Sequence, residues 1–288
     1  PHVPALSHAA VLQLALPAMR LTRPLLFVVG LLLSLGDGHA QPSAAPDSLQ
    51  ALSAMPSPQE ARSAPERSAG ALFYVADGAA TLHNVPRAEA PVRRLPMRTP
   101  LTRLGCDKTR CRVRTDAGRE GYVAADALSN VWVRVSKSRR RLYVYRGATR
   151  VQTVRADMAY NSFADKKRNG SEGRPDHWRT PEGTFYVVHK NPRSQFYKAL
   201  VLNYPKVEDA RRGLNSGLIS RAQYEAIEEA QEEHRMPPMD TPLGGWIEIH
   251  GDGTGDATAW TQGCVAVPNP AMDRLWSLVR VGTPVLVE

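Results

Sequence analysis

From Leu72 onward, apolar and polar residues alternate in short runs and seldom recur at the three- and four-residue spacing of a helix. Leu72-Phe73-Tyr74-Val75, Cys111-Arg112-Val113-Arg114 and Glu120-Gly121-Tyr122-Val123 have the two-residue period of half-buried strands. Asp116-Ala117-Gly118 supplies a tight turn between the last two. Beyond Val131 the pattern predicts strands over 132–135, 142–145, 150–158, 184–188, 199–203 and 246–250, with 284–287 as a closing strand. One clear helix interrupts them. Ser220 and Gln223 form a capping box, Tyr224, Ile227 and Ala230 share one face through Glu233, and Met236-Pro237-Pro238 prevents continuation. A last helix is predicted from Asn269-Pro270, read as a cap and the first helical residue, to about Val279. The pattern is that of a mainly β chain with peripheral helices.

The first 70 residues do not follow it. Met19 to Arg23 is positively charged, Pro24 to Leu35 is apolar, and Gly38-His39-Ala40 puts small residues where a signal peptidase cuts. Residues 1–40 therefore read as a leader with its start at Met19, and the protein is expected to be exported. The apolar run is shorter than the roughly 20 residues of a membrane-spanning helix, so no membrane span is expected after cleavage. No cysteine stands at the cleavage point to carry a lipid anchor. Residues 41–70 are rich in Ala, Ser and Pro with almost no large apolar side chains, which predicts a disordered linker. Residues 71–129 then have the size of a small barrel, and 131–288 that of a larger β domain.

Composition sharpens this picture. A hydrophobic share of 42% is enough for a packed core, and 23 prolines with 21 glycines favour short strands and many turns. The net charge of +9 favours an anionic partner. The basic knots at 139–141 and 166–168 lack aromatic interleaving or a recognition motif, which argues against nucleic acid. A polyanionic cell wall fits the charge better.

Candidate chemistry lies with the 3 cysteines. Cys106 and Cys111 flank a four-residue polar turn, where cross-strand geometry suits a disulfide that pins the hairpin. Cys264 is left over, and an unpaired thiol in an exported chain is either a liability or a nucleophile. His250, at the end of a predicted strand, is placed to take the thiol proton and return it to a leaving amine. The backbone N–H groups of Gly263 and Cys264 are candidates for an oxyanion hole, and the Gly251 carbonyl for orienting the imidazole. Trp260, Thr261 and Gln262 are candidate substrate contacts. Asp252 to Asp256 hints at a calcium loop, but Thr254 and Gly263 break its ligand pattern. A zinc site from His250, Asp256 and Cys264 lacks a second close ligand pair, so neither a metal nor a cofactor is expected.

The block His250-Gly251 followed by Trp260-Thr261-Gln262-Gly263-Cys264-Val265 resembles the signature of the L,D-transpeptidase catalytic domain of the YkuD type. Arg179-Thr180-Pro181-Glu182-Gly183 looks like that family's turn before a core strand, and Gly282-Thr283-Pro284-Val285 like its closing strand. The resemblance implies a β-sandwich-like catalytic domain over 131–288, with Cys264 as nucleophile and His250 as proton partner. Its substrates would be peptidoglycan stem peptides in the periplasm. Gln262 and Ala266 depart from the signature, which has histidine and arginine there. The run Thr261 to Asn269, Asn203-Tyr204-Pro205 and the helical insert ending at Pro237-Pro238 resemble the YafK-like branch. That branch is associated with the bond between peptidoglycan and an outer-membrane lipoprotein, including its hydrolysis, so a wall-linked lipoprotein becomes a second expected partner. Residues 71–129 resemble a bacterial SH3-like domain through Pro91-Val92 to Leu95-Pro96, Arg112 to Thr115 and Gly118 to Val123. Such a domain would bind wall peptide or act as a spacer. The expected reaction is acyl transfer through a Cys264 thioester. Hydrolysis of the same bonds and a non-catalytic wall-binding role are the alternatives.

Overall fold

Most alternating runs among the described residues pair with a strand next to them in sequence. The computed structural model describes residues 71–86 and 91–288, so the expected leader (1–40) and linker (41–70) lie outside the described residues. Strands β1 (Ala71–Val75), β2 (Ala80–Leu82), β3 (Arg93–Leu95), β4 (Pro100–Cys106), β5 (Arg110–Thr115), β6 (Glu120–Ala124) and β7 (Leu128–Ser129) form the first group. Five of them make an antiparallel sheet in the order β6-β5-β4-β1-β7, while β2 and β3 pair separately. Val75, Leu82, Leu101, Val113 and Val123 fill its own hydrophobic cluster. Cys106 sits directly opposite Cys111 across β4 and β5, and a disulfide joins them with a Cα–Cα distance of 4.0 Å.

The second group comprises β8 (Val131–Ser136), β9 (Arg141–Arg146), β10 (Thr149–Arg155), β11 (Met158–Ala159), β12 (Gly183–Ser194), β13 (Tyr197–Leu202), β14 (Glu248–His250), β15 (Ala259–Thr261), β16 (Val265–Ala266) and β17 (Pro284–Val287). Eight of these form one mixed sheet in the order β10-β9-β8-β17-β12-β13-β14-β16, and β11 pairs with β15 in parallel. Phe185, Leu200, Ile249, Val265 and Leu275 belong to the large cluster beneath it. The protein is mainly β, with few helices.

Four details differ from the sequence expectation. Helix α1 (Val207–Asn215) precedes the predicted α2 (Arg221–Glu232), so two helices interrupt the strands. Its sequence is mostly polar and contains Gly213, which hides it. Yet that glycine lies where a Cβ would stand 2.9 Å from Leu243, so its lack of a side chain is what permits close packing. In α3 (Asn269–Leu278), Asn269 is already helical and Pro268 is the cap. The Asn269 side chain is engaged elsewhere, with Asp252. The run 246–250 becomes a strand only from Glu248, because Trp246 adopts φ +51°. The run 150–158 is split, with β10 ending at Arg155 and Met158 turning aside to meet β15.

Tyr74 ties the two groups together. Its hydroxyl donates to the Val131 carbonyl at 2.7 Å and lies 3.1 Å from both Ser129 Oγ and Thr283 Oγ1. Asp77 adds to this seam, accepting from Arg280 Nε at 2.5 Å and from the Val281 amide at 2.9 Å. Removing the Tyr74 hydroxyl strands these partners, so Tyr74→Phe should lower stability by about 1–3 kcal/mol in urea unfolding. An unchanged midpoint would show that the seam contributes nothing.

Candidate active site

Strand β14 is flanked by β13 on one side and by β16 in parallel on the other. The register Ile249↔Val265 and His250↔Ala266 carries Cys264, just before β16, to the start of β14. Residues two apart on a strand share a face, so Glu248 and His250 point the same way. His250, Glu248 and Cys264 all border one cavity of about 740 Å³.

His250 is 1% exposed. Its Nδ1 lies 2.7 Å from the Gly251 carbonyl oxygen. A carbonyl only accepts, so Nδ1 carries the hydrogen and Nε2 is left as the basic nitrogen. Phe196, at the turn between β12 and β13, stacks on the imidazole with centroids 4.4 Å apart, and Trp260 meets its edge at 6.0 Å. Burial lowers the imidazole pKa from its usual value, against the Gly251 hydrogen bond and the charges of Asp252 and Asp157. The ring is therefore neutral, and able to accept a proton, at neutral pH.

The loop beyond His250 is organised around one carboxylate. Asp157 is fully buried and accepts from the Thr254 amide (2.7 Å), the Thr254 hydroxyl (2.9 Å), the Thr258 amide (2.9 Å) and Trp260 Nε1 (2.8 Å). Burial opposes its ionisation, but these hydrogen bonds outweigh it and hold the pKa below the usual carboxylate value. Asn269 fastens the same loop by accepting from the Asp252 amide at 2.7 Å and donating to its carboxylate at 2.9 Å. Gly251 is obligatory between them, since a Cβ would stand 2.5 Å from Asn269 Oδ1 and 2.9 Å from the Phe196 carbonyl.

Cys264 is half-buried, and its Sγ donates to the Trp246 carbonyl at 3.4 Å. Burial pushes the thiol up to about 12, the charge of Glu248 adds to this, and a backbone hydrogen bond from Glu248 and the charge of Lys166 oppose it. The resting thiol is thus protonated. Glu248 is itself raised to about 7 by burial. Lys166, 2% exposed, is lowered to about 8, chiefly by burial and against the charge of Cys264.

The predicted site residues fall into distinct places. His250, Cys264, Trp260, Thr261 and Gln262 all border the cavity. Trp260 and Gln262 are exposed there, whereas Thr261 is buried and occupied, donating to the Cys264 carbonyl at 2.6 Å and accepting from the Gly263 amide at 3.4 Å. Thr261 therefore shapes the loop, and the Gly263 amide is partly engaged. Gly263 adopts φ +148°, and a Cβ would meet Ile247 Cδ1 at 2.7 Å and the Arg179 carbonyl at 2.9 Å. Internal packing therefore requires the glycine. Sequence reasoning missed Asp157, Lys166, Phe196, Trp246 and Glu248. Only Glu248 carried a signal, its strand alternation with His250.

A family model described as L,D-transpeptidase catalytic domain (YkuD) matches residues 130–287. No curated protein matches the chain. Among solved structures, the L,D-transpeptidase from Xylanimonas cellulosilytica DSM 15894 is 17% identical with a TM-score of 0.34, the match covering 56% of this chain and 61% of that one. Bd1075 from Bdellovibrio bacteriovorus is 22% identical with a TM-score of 0.37, covering 57% and 49%. An L,D-transpeptidase from Mycobacterium smegmatis is 15% identical with a TM-score of 0.31, covering 78% and 85%. The chain thus spans less than two thirds of the first two proteins.

Two variants test this electrostatic picture. Asp157→Ala removes an acceptor serving four donors and should cost about 3 kcal/mol in chemical denaturation, with a change in Trp260 fluorescence. The folded pKa is depressed, so the contribution is present above the unfolded aspartate value and lost as pH falls through the folded one; the variant's stability should therefore fall less on acidification. Glu248 has the opposite sign. Its folded pKa of about 7 lies above the unfolded 4.5, so native stability falls as pH rises between those values, by about 3 kcal/mol in all. Glu248→Gln should abolish that fall and speed iodoacetamide alkylation of Cys264 above pH 7. Unchanged pH slope and alkylation would contradict the assignment.

Proposed function

Because this chain belongs to the YkuD family of L,D-transpeptidase catalytic domains, we propose that it is a cysteine acyltransferase acting on peptidoglycan stem peptides. The observation that carries this is the pairing, on one cavity, of a protonated thiol at Cys264 with a neutral His250 whose tautomer is set by Gly251. The substrate amide enters with its carbonyl carbon, that of the third stem residue, facing Sγ. His250 Nε2 takes the thiol proton as sulfur attacks, the S–C bond forms, and the carbonyl electrons move to oxygen. The Cys264 amide is the main oxyanion donor, since the Gly263 amide already leans on Thr261. The C–N bond then breaks as His250 returns the proton to the departing amine, leaving a thioester.

The acceptor decides the second half. An incoming amine gives a transpeptidation product, and water gives hydrolysis; in either case His250 takes the incoming proton and passes it to the departing thiolate. A wall-linked lipoprotein is a candidate donor or acceptor on the same chemistry. Export to the periplasm is supported by the leader pattern and by the Cys106–Cys111 disulfide, a bond of oxidising compartments. We read the first β group as an SH3-like module that binds or positions wall peptide.

The test is incubation of the protein with tetrapeptide muropeptides and, separately, with lipoprotein-bearing sacculi, followed by mass spectrometry. Wild type should change at least one substrate. Cys264→Ala should abolish the change, and His250→Ala should slow it by about 10²–10⁴-fold. New third-residue cross-links would identify transfer, and trimmed stems or released lipoprotein would identify hydrolysis. Substrates left unchanged by wild type would overturn the enzymatic assignment.

A further inference from the structure

Lys137 and Lys166 are both buried, in very different states. Lys137, 3% exposed, is saturated: its Nζ donates to the carbonyls of Ala164 (2.8 Å) and Thr180 (3.0 Å) and to Glu182 Oε1 (2.8 Å). Lys166 is 2% exposed, yet it makes no hydrogen bond or ion pair with any described residue. An ammonium carries three donors, and leaving them unpaired out of bulk water is costly. Its position is nonetheless built. The stem lies against Gly244, where a Cβ would stand 2.9 Å from Cε and 3.5 Å from Nζ, with Asn169 Oδ1 at 3.3 Å. Only a residue without a side chain at 244 leaves this passage open. Lys166 reaches the same cavity that Cys264 and His250 border.

The surroundings favour an anion there. Arg179, whose charge disfavours the Lys166 ammonium, donates to the carbonyls of Asp176 (2.7 Å) and Asp165 (3.4 Å) and has no carboxylate partner among the described residues. Glu248 is pushed toward its neutral form by burial, so it is a weak counter-ion. Cys264 and Lys166 line the same cavity, so an anion bound by the ammonium would lie within the space the thiol borders.

Resting on the proposed acyl transfer, we propose that Lys166 receives the carboxylate of the leaving amino acid, so that the site selects stem peptides with a free C-terminal residue directly after the scissile amide. That carboxylate is separated from the attacked carbonyl by only the amide nitrogen and one α-carbon. Other carboxylates of a stem lie further along the chain. A leaving amine on a long side chain, as in an isopeptide link to a protein, presents no carboxylate at this distance. Binding supplies the missing partner for Lys166, and the ion pair in turn fixes the scissile bond over the thiol.

The experiment compares a synthetic tetrapeptide stem with its C-terminal amide, using wild type and Lys166→Met. Wild type should favour the free carboxylate by at least about tenfold in kcat/KM, chiefly through KM, and the preference should collapse toward one in Lys166→Met. The variant should also unfold at a higher temperature, because it removes an unpaired buried charge while keeping the side-chain volume. Equal use of both peptides by wild type, or a preference that survives in Lys166→Met, would overturn the proposal while leaving acyl transfer intact. A lower unfolding temperature would contradict the unpaired burial of the ammonium. Consumption of neither peptide by wild type would instead remove the acyl-transfer reading, and this one with it.

Discussion

The hydrogen bond between His250 Nδ1 and the Gly251 carbonyl is the constraint around which the catalytic end of the molecule is arranged. It leaves Nε2 as the basic nitrogen, and much of the nearby structure keeps it in place. Gly251 has no space for a side chain because Asn269 and the Phe196 carbonyl press against it. Asn269 in turn holds Asp252, and Asp157 gathers Thr254, Thr258 and Trp260 into the same loop. Phe196 and Trp260 close on the imidazole from its face and its edge. A backbone carbonyl thus takes the orienting role that a carboxylate fills in other histidine-based sites, and it does so without adding a charge to the cavity.

Charge is scarce where chemistry is expected. Burial disfavours the ionised forms of Cys264, His250 and Glu248 together, so at neutral pH the site holds a thiol beside a neutral imidazole and a carboxyl group that is about half protonated. The thiol proton is parked on the Trp246 carbonyl. A thiol held in this way reacts slowly with casual electrophiles, and on the proposed mechanism the thiolate forms only as substrate supplies an oxyanion-forming carbonyl and His250 accepts the proton. Lys166 is the exception, a buried amine with no hydrogen-bond or ion-pair partner among the described residues. The same low-dielectric surroundings that suppress the thiolate would strengthen any ion pair Lys166 makes.

How much of this was legible in the sequence depended on whether a residue's role was local. Period-two runs announced the strands, and the Ser220–Gln223 capping box announced α2, because both patterns are short-range. Residue type and spacing singled out Cys264 and His250, and both border one cavity. Helix α1 was hidden because it is short, polar and interrupted by Gly213, and it is held by packing against Leu243. Asn269 was read as a cap since its type and position suit one, but a distant partner, Asp252, claims its side chain. Asp157 and Lys166 gave no signal at all: one looks like a polar residue ending a strand, the other like part of a solvated basic knot. Their importance arises only when residues 157 and 254–260, or 166 and 244, are brought together by the fold.

The proposed mechanism requires Cys264 to become covalently acylated with His250 as its proton partner. Acid-quenched reactions with a tetrapeptide stem, followed by intact-protein mass spectrometry and peptide mapping, test it most directly. A transient mass increase equal to the acyl portion of the donor is expected, located on the peptide containing Cys264 and lost on treatment with hydroxylamine. Product formation with no adduct on Cys264 at any quench time, or an adduct on a different residue, would contradict it.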